Sequence, residues 1–150
     1  MLRNWLHESS PEKQDTTGLQ YRGMQRLNEI TEAIIAAPIA VHRELGPGLL
    51  ESAYEACLAY ELAQRGLAVE QQKGLPVTYR GVNVDCGYRI DMLAEGSVVV
   101  ELKAIEMLEP IHEAQLLSYL KLSGCRLGLL INFNVKMLKH GIRRMINDPH

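Results

Sequence analysis

Leu27, Ile30, Ile34, Ala37, Val41 and Leu45 recur every three or four positions, which places one hydrophobic stripe along a helix. Pro38 falls inside that stripe; lacking an N–H and crowding the turn before it, it predicts a kink or a break. Gly46-Pro47-Gly48 ends the pattern, and a second helix is predicted from about Leu49 to Arg65, with Gly66 as its stop. The two helices should pack as a pair. Leu75–Tyr79 and Val82–Leu93, separated by Arg80-Gly81, predict two strands of a hairpin. The run Ser97–Ile105 is dominated by β-branched residues and is apolar on both faces, the pattern of a central strand covered on both sides. Pro110 precedes a predicted helix over Ile111–Leu122 stopped by Gly124, and Arg126–Phe133 reads as a further buried strand. A strand, a crossover helix and a second strand imply a parallel pair, so the expected fold class is α/β with a mixed central sheet flanked by helices. The basic tail Lys136–Asn147 predicts a short final helix. At the other end, residues 7–20 are polar with no period that buries a face; residues 1–22 are read as a flexible leader and 23–150 as a single domain.

Composition fits that outline. With 150 residues, 47% of them hydrophobic, the chain buries one substantial core and is too short for two full domains. No apolar run reaches bilayer length, and Met1–Leu6 lacks the apolar centre of a secretory signal, so the expected location is cytoplasmic, with no membrane partner. Cys57, Cys86 and Cys125 are far apart and odd in number, which predicts buried free thiols rather than a disulfide or zinc framework. The formal charge of -2 gives no global attraction to nucleic acid; phosphate binding would need a locally basic surface or bound cations.

The candidate chemistry lies where charge interrupts apolar strands. Glu101 and Lys103 are two residues apart, so their side chains share one face of a strand that is otherwise hydrophobic. Desolvating an ion costs on the order of several kcal/mol, so such a pair needs partners or a bound ion. An isolated Glu-x-Lys is most often a plain ion pair. Here Asp91 lies in the preceding strand, and a short turn brings it beside Glu101. Two carboxylates and the Leu102 carbonyl make a hard oxygen site suited to Mg²⁺, with water as nucleophile and Lys103 positioned to orient it or to stabilise the transition state. Glu51 opens the second helix, where a carboxylate is favourable beside the helix dipole; it also borders the face of Tyr54, Glu55, Leu58 and Leu62 and is a candidate third metal carboxylate. Gln115 and Tyr119 lie one turn apart on the predicted third helix and by themselves read as a polar patch.

Gly48-Leu49-Leu50-Glu51-Ser52-Ala53-Tyr54 matches the motif of the GxxExxY proteins. Arg89-Ile90-Asp91, Glu101-Leu102-Lys103 and the block from His112 to Tyr119 match that family's later motifs, so the chain resembles it over about Ile30–Ile146. That family is placed in the PD-(D/E)XK nuclease superfamily, and the Gln115-x-x-x-Tyr119 spacing is similar to that of RecB-type nucleases. The resemblance implies an αβββαβ core and metal-dependent phosphodiester cleavage with Mg²⁺ or Mn²⁺. It also implies roles: Glu51 as the helix carboxylate, Asp91 and Glu101 as the metal-binding pair, Lys103 as the catalytic lysine, and Gln115 with Tyr119 in support. Ile90 stands where the superfamily name has proline, which removes no ligand.

His42, Arg89 and His112 are secondary candidates for phosphate contact or accessory roles, each with a structural alternative in hydrogen bonding or ion pairing. Lys136, Lys139, Arg143 and Arg144 read either as a strip for a nucleic-acid backbone or as a solvated helix face. The leading expectation is a metal-dependent nuclease acting on DNA, with RNA second. The alternative is a non-catalytic nucleic-acid-binding or protein-interaction module that keeps the fold. Nucleic acid is the expected partner; a second copy of the chain or a protein partner completing the binding surface is left open, with no dimer motif in the sequence.

Overall fold

A 44-residue helix, α1 (Leu2–Leu45), opens the chain in the computed structural model, which describes residues 2–148 and the side chains of 18–148 except residue 21. The chain divides within α1 into two units, Met1–Ala33 and Ile34–His150. The helix runs through the segment expected to be a flexible leader, whose side chains up to residue 17 lie outside the described residues. In the first unit the Thr31 hydroxyl donates back to the Leu27 carbonyl at 2.7 Å, a bond that helical backbone permits. In the second, α1 continues through Pro38, so of the expected kink or break no break occurs. Burial of Ile34, Ala37 and Val41 around the proline offsets an intrinsic penalty of about 3 kcal/mol.

The remainder of the second unit comprises α2 (Glu51–Gln64), β1 (Val69–Gly74), β2 (Val77–Tyr79), β3 (Val82–Val84), β4 (Arg89–Ala94), β5 (Val98–Lys103), α3 (Pro110–Ser123), β6 (Leu127–Asn132), a 3₁₀ turn (Leu138–His140) and β7 (Ile142–Ile146). The main sheet has the order β1-β4-β5-β6-β7, with β5 and β6 parallel and the other neighbours antiparallel. It is the expected mixed sheet, and α2-β1-β4-β5-α3-β6 traces an αβββαβ core.

Two expectations need correction. The hairpin across Arg80-Gly81 forms, as β2 paired with β3, but it is a separate two-stranded ribbon: its second strand does not run on to Asp91, which lies on β4 between β1 and β5. Val-Glu-Gln-Gln-Lys-Gly is an exposed edge strand with only Val69 half-buried, so it has no apolar alternation to reveal it. The tail is a strand rather than a helix. In β7 only Ile142 and Met145 are half-buried, which suits a sheet edge, and the strand pairs with β6 from Leu127↔Ile146 to Ile131↔Ile142.

The core lies on both faces of β5. Leu93, Val99 and Leu130 pack with Leu116, Tyr119 and Leu120 of α3. Strand alternation turns Met92, Val100, Leu102, Leu129 and Ile131 the opposite way, and these too are buried. On that side α2 touches β1 and β5 and buries Tyr54, Leu58 and Leu62. All six residues of β6 are buried, and α3 lies so close that a Cβ on Gly128 would sit 2.8 Å from Leu116 Cδ1. The cysteines are free, as expected, but Cys57 and Cys86 are exposed rather than buried.

The loop after β6 is locked by Asn132. Its side chain accepts from the Ile105 and Asn134 N–H groups and donates to the Ile105 carbonyl, while its N–H donates to the Gly141 carbonyl at 2.8 Å. A Cβ at Gly141 would collide with the Asn132 carbonyl oxygen and touch Val135. Gly141→Ala should therefore lose about 1–3 kcal/mol in urea unfolding. Gly74→Ala, where a Cβ meets open space, should change stability by no more than about 1 kcal/mol. Equal unfolding midpoints for the two variants would show that the loop does not need this close approach.

Candidate active site

The end of α2 that faces the chemistry is set by its approach loop. Gly48 has φ +101°, a conformation that glycine alone adopts readily. The Tyr54 phenol donates to the Gly46 carbonyl at 2.6 Å and accepts the Leu49 N–H at 3.1 Å, tying the loop to the helix it precedes. The Tyr54 ring stacks on Phe133 at 4.5 Å, and the Phe133 N–H donates to the Lys103 carbonyl. The last residue of β5 is thus linked to the first turn of α2, where Glu51 stands.

Across the sheet, the registers align three polar residues in one row. The β1–β4 pairs Gln71↔Met92 and Lys73↔Ile90 leave Gln72 opposite Asp91, and continuing the β4–β5 register past Met92↔Val100 puts Asp91 opposite Glu101. Neither position is a regular ladder pair. Side chains take over the bonding: the Asp91 N–H donates to Glu101 Oε1 at 3.1 Å, and the Leu102 N–H donates to Asp91 Oδ2 at 2.9 Å. The two carboxylates are thereby built into the backbone of each other's strands.

Glu101 is only 6% exposed, and burial followed by the negative charge of Asp91 pushes its carboxyl up to about 8. The Asp91 N–H and Lys103 act against that rise without cancelling it. Glu51 is exposed over much of its surface, yet partial desolvation of its carboxyl, then Asp91, raises it as well, with Lys103 opposing. Lys103 is half-buried, and among the described residues neither it nor Glu101 forms a close ion pair. The simple structural Glu101–Lys103 pair is not formed.

From α3, the Gln115 amide donates to the Tyr119 hydroxyl at 3.0 Å. Burial raises the Tyr119 phenol, the Gln115 bond opposes this, and the charges of Glu101 and Asp91 add to it. Asp91 and Lys103 are therefore close enough to act on both Glu51 and Glu101, and Asp91 and Glu101 to act on Tyr119.

The secondary candidates have structural partners. His42 Nε2 donates to the Val135 carbonyl at 2.8 Å, Arg89 Nη1 donates to the Gln72 carbonyl, and His112 Nδ1 accepts the Glu109 N–H within a capping box at the start of α3. Arg143 lies on β7 beside Glu113 at 3.8 Å, so no helical basic strip forms. Sequence reasoning missed Gln72, whose amide donates to Glu55 Oε1 at 2.6 Å and to Asp91 Oδ1 at 3.4 Å. Glutamine in a polar edge strand carries no pattern that would have singled it out.

Among the described residues no three His, Cys, Asp or Glu side chains gather into a metal-holding cluster. The donor set is instead a carboxylate pair with Glu51 nearby. That set fits a small hard cation, because Mg²⁺ uses one or two carboxylates and keeps its remaining ligands as water. The raised Glu101 carboxyl points the same way: a charged pair here is costly until a positive charge joins it.

The same shift predicts a pH dependence without metal. The folded state holds the Glu101 proton up to about 8, whereas an unshifted carboxyl releases it near 4.5, so stability falls as pH rises between those values. In Glu101→Gln the amide oxygen still accepts the Asp91 N–H and that slope disappears. With chelator present, the variant's urea midpoint relative to wild type should rise between about pH 5 and about pH 9. Parallel pH profiles would contradict the shift.

Neither the curated proteins nor the solved structures contain a match to this chain. Residues 28–145, which include α2, the whole main sheet except the last residue of β7, and every site residue above, match the PD-(D/E)XK nuclease superfamily. With that match covering most of its length and the αβββαβ core in place, the chain belongs to the PD-(D/E)XK nuclease superfamily.

Proposed function

We propose that this protein is a divalent-metal-dependent nuclease of the GxxExxY kind, hydrolysing phosphodiester bonds in DNA, with RNA the less favoured substrate. One observation carries the reading: Asp91 and Glu101 are bonded into adjacent strands as a carboxylate pair, with Lys103 on the same face of β5 and, among the described residues, no carboxylate in a close ion pair with it. Asp91, Glu101, the Leu102 carbonyl and Glu51 would hold Mg²⁺ or Mn²⁺. When bound, the cation supplies positive charge at the scissile phosphate and acidifies a water.

The chain's own groups do the rest. Lys103 offers its ammonium to the charge that grows on the phosphate oxygens. Tyr119 accepts from Gln115, which fixes the phenol and leaves its own proton for donation toward the substrate. The α3 face beneath Asp91 and Glu101 excludes water from one side of the site, strengthening each electrostatic contact.

A basic approach for the nucleic-acid backbone is supported near the same end of the sheet. Arg43 and Lys139 border a cavity of about 330 Å³ with His42, Ile39, Met137 and Leu138, and among the described residues no acidic side chain lines it. Its walls connect to the site by bonds already described, through Gly46 and Tyr54 to α2 and through Val135 and Phe133 to Lys103. A chain with net charge -2 needs such a local surface to attract phosphates.

Purified protein with single- and double-stranded DNA and RNA should cleave in Mg²⁺ or Mn²⁺ and not in chelator. Asp91→Ala and Lys103→Ala should each reduce the rate by about 100-fold or more while remaining folded. Cleavage indifferent to both substitutions would remove the site; binding without cleavage in any metal would favour a non-catalytic module. In chelator, Arg43→Ala with Lys139→Ala should weaken oligonucleotide binding and reduce the slope of log affinity against log salt by about 1–2. An unchanged slope would place the backbone elsewhere.

A further inference from the structure

Among the described residues three non-glycine residues have positive φ: Gln72 at 50°, Arg80 at 48° and Glu95 at 53°. Arg80 and Glu95 lie in turns, where that conformation is ordinary. Gln72 lies inside strand β1, opposite Asp91, at the one position where the β1–β4 ladder skips a pair. A left-handed residue within a strand costs on the order of 1–2 kcal/mol and persists only where surrounding bonds require it.

Its side-chain bonds both lead to carboxylates. The Gln72 amide nitrogen donates to Glu55 on α2 at 2.6 Å and to Asp91 Oδ1 at 3.4 Å. Its carbonyl accepts from Arg89, two residues before Asp91 on β4, and its neighbour Gln71 donates to the second oxygen of Glu55 at 3.3 Å. The other oxygen of Asp91 is held by the Leu102 N–H, so Gln72 is what restrains Oδ1. A single amide with two hydrogens thus stands between two negative charges and fixes the rotation of one of them.

The geometry points to Gln72 as a positioning residue for Asp91: its strained backbone aims the side-chain amide so that the Asp91 carboxylate is preoriented to receive a divalent cation. This rests on the metal-dependent reading of the site. Residues that orient a metal-binding carboxylate typically affect affinity or activity by about 10–100-fold. Gln72 does not touch the substrate; its effect passes through Asp91.

Two variants separate the amide from the strain. Gln72→Gly removes the amide and relieves the backbone, whereas Gln72→Ala removes the amide and keeps the strain. In calorimetric titration with Mn²⁺ and in steady-state cleavage, both should lose about tenfold in Mn²⁺ affinity and in kcat, with KM for the oligonucleotide preserved. Their urea midpoints should differ, glycine being the more stable. A glycine variant with wild-type Mn²⁺ affinity, or losses that follow the stability difference between the two, would overturn the role of Gln72 and leave the nuclease reading standing. A wild-type protein that binds no Mn²⁺ would overturn both.

Discussion

The candidate site is organised by the reciprocal bonding of Asp91 and Glu101. Each carboxylate accepts a backbone N–H from the other's strand, Glu101 from Asp91 and Asp91 from Leu102. Regular ladder bonds are given up at this row, and two negative groups are held side by side at a strand that is buried on both faces. Such an arrangement is unstable as a pair of charges: burial and mutual repulsion keep a proton on Glu101 to about 8. It becomes favourable once a positive charge is shared between the two, which is why the donor set fits a hard divalent cation.

The rest of the fold can be understood as support for that row. β5 is central because valines and leucines fill both of its faces, and this removes Glu101 from water. α3 covers one face and brings Tyr119 and Gln115 toward the carboxylates. On α2, the GxxExxY pattern resolves into separate tasks: Gly48 makes the turn, Tyr54 bonds that turn to the helix and stacks on Phe133, and Glu51 is left at the helix start beside Asp91 and Lys103. His42, His112 and Arg89 work as fasteners, each engaged with backbone: a hydrogen-bonding role for the two histidines, and for Arg89 a carbonyl partner in place of the carboxylate its position suggests.

How much of this the sequence disclosed follows from where burial imposes a pattern. α2, β5, α3 and β6 were legible because each has an apolar face or an apolar run, and Glu101 was conspicuous as a charge inside one. β1 and β7 were not, since an edge strand with most of its side chains in water has little alternation to read, and β7 was mistaken for a helix. Pro38 shows the converse, a local rule for breaking a helix overridden by packing. Gln72 was invisible for a different reason. Its role comes from a backbone angle and from neighbours on two other elements, neither of which a polar residue in a polar segment advertises.

The central claim is that a divalent cation takes the place of the proton held by Glu101. Calorimetric titration of Mg²⁺ in buffers of different ionisation enthalpy measures the protons released on binding. With Glu101 titrating at about 8, binding near pH ~7 should release close to one proton per cation. That release should fade by about pH 9 and be absent from Glu101→Gln. Mg²⁺ binding at pH ~7 with no proton release, or with the same release from Glu101→Gln, would contradict the assignment of the site to Asp91 and Glu101.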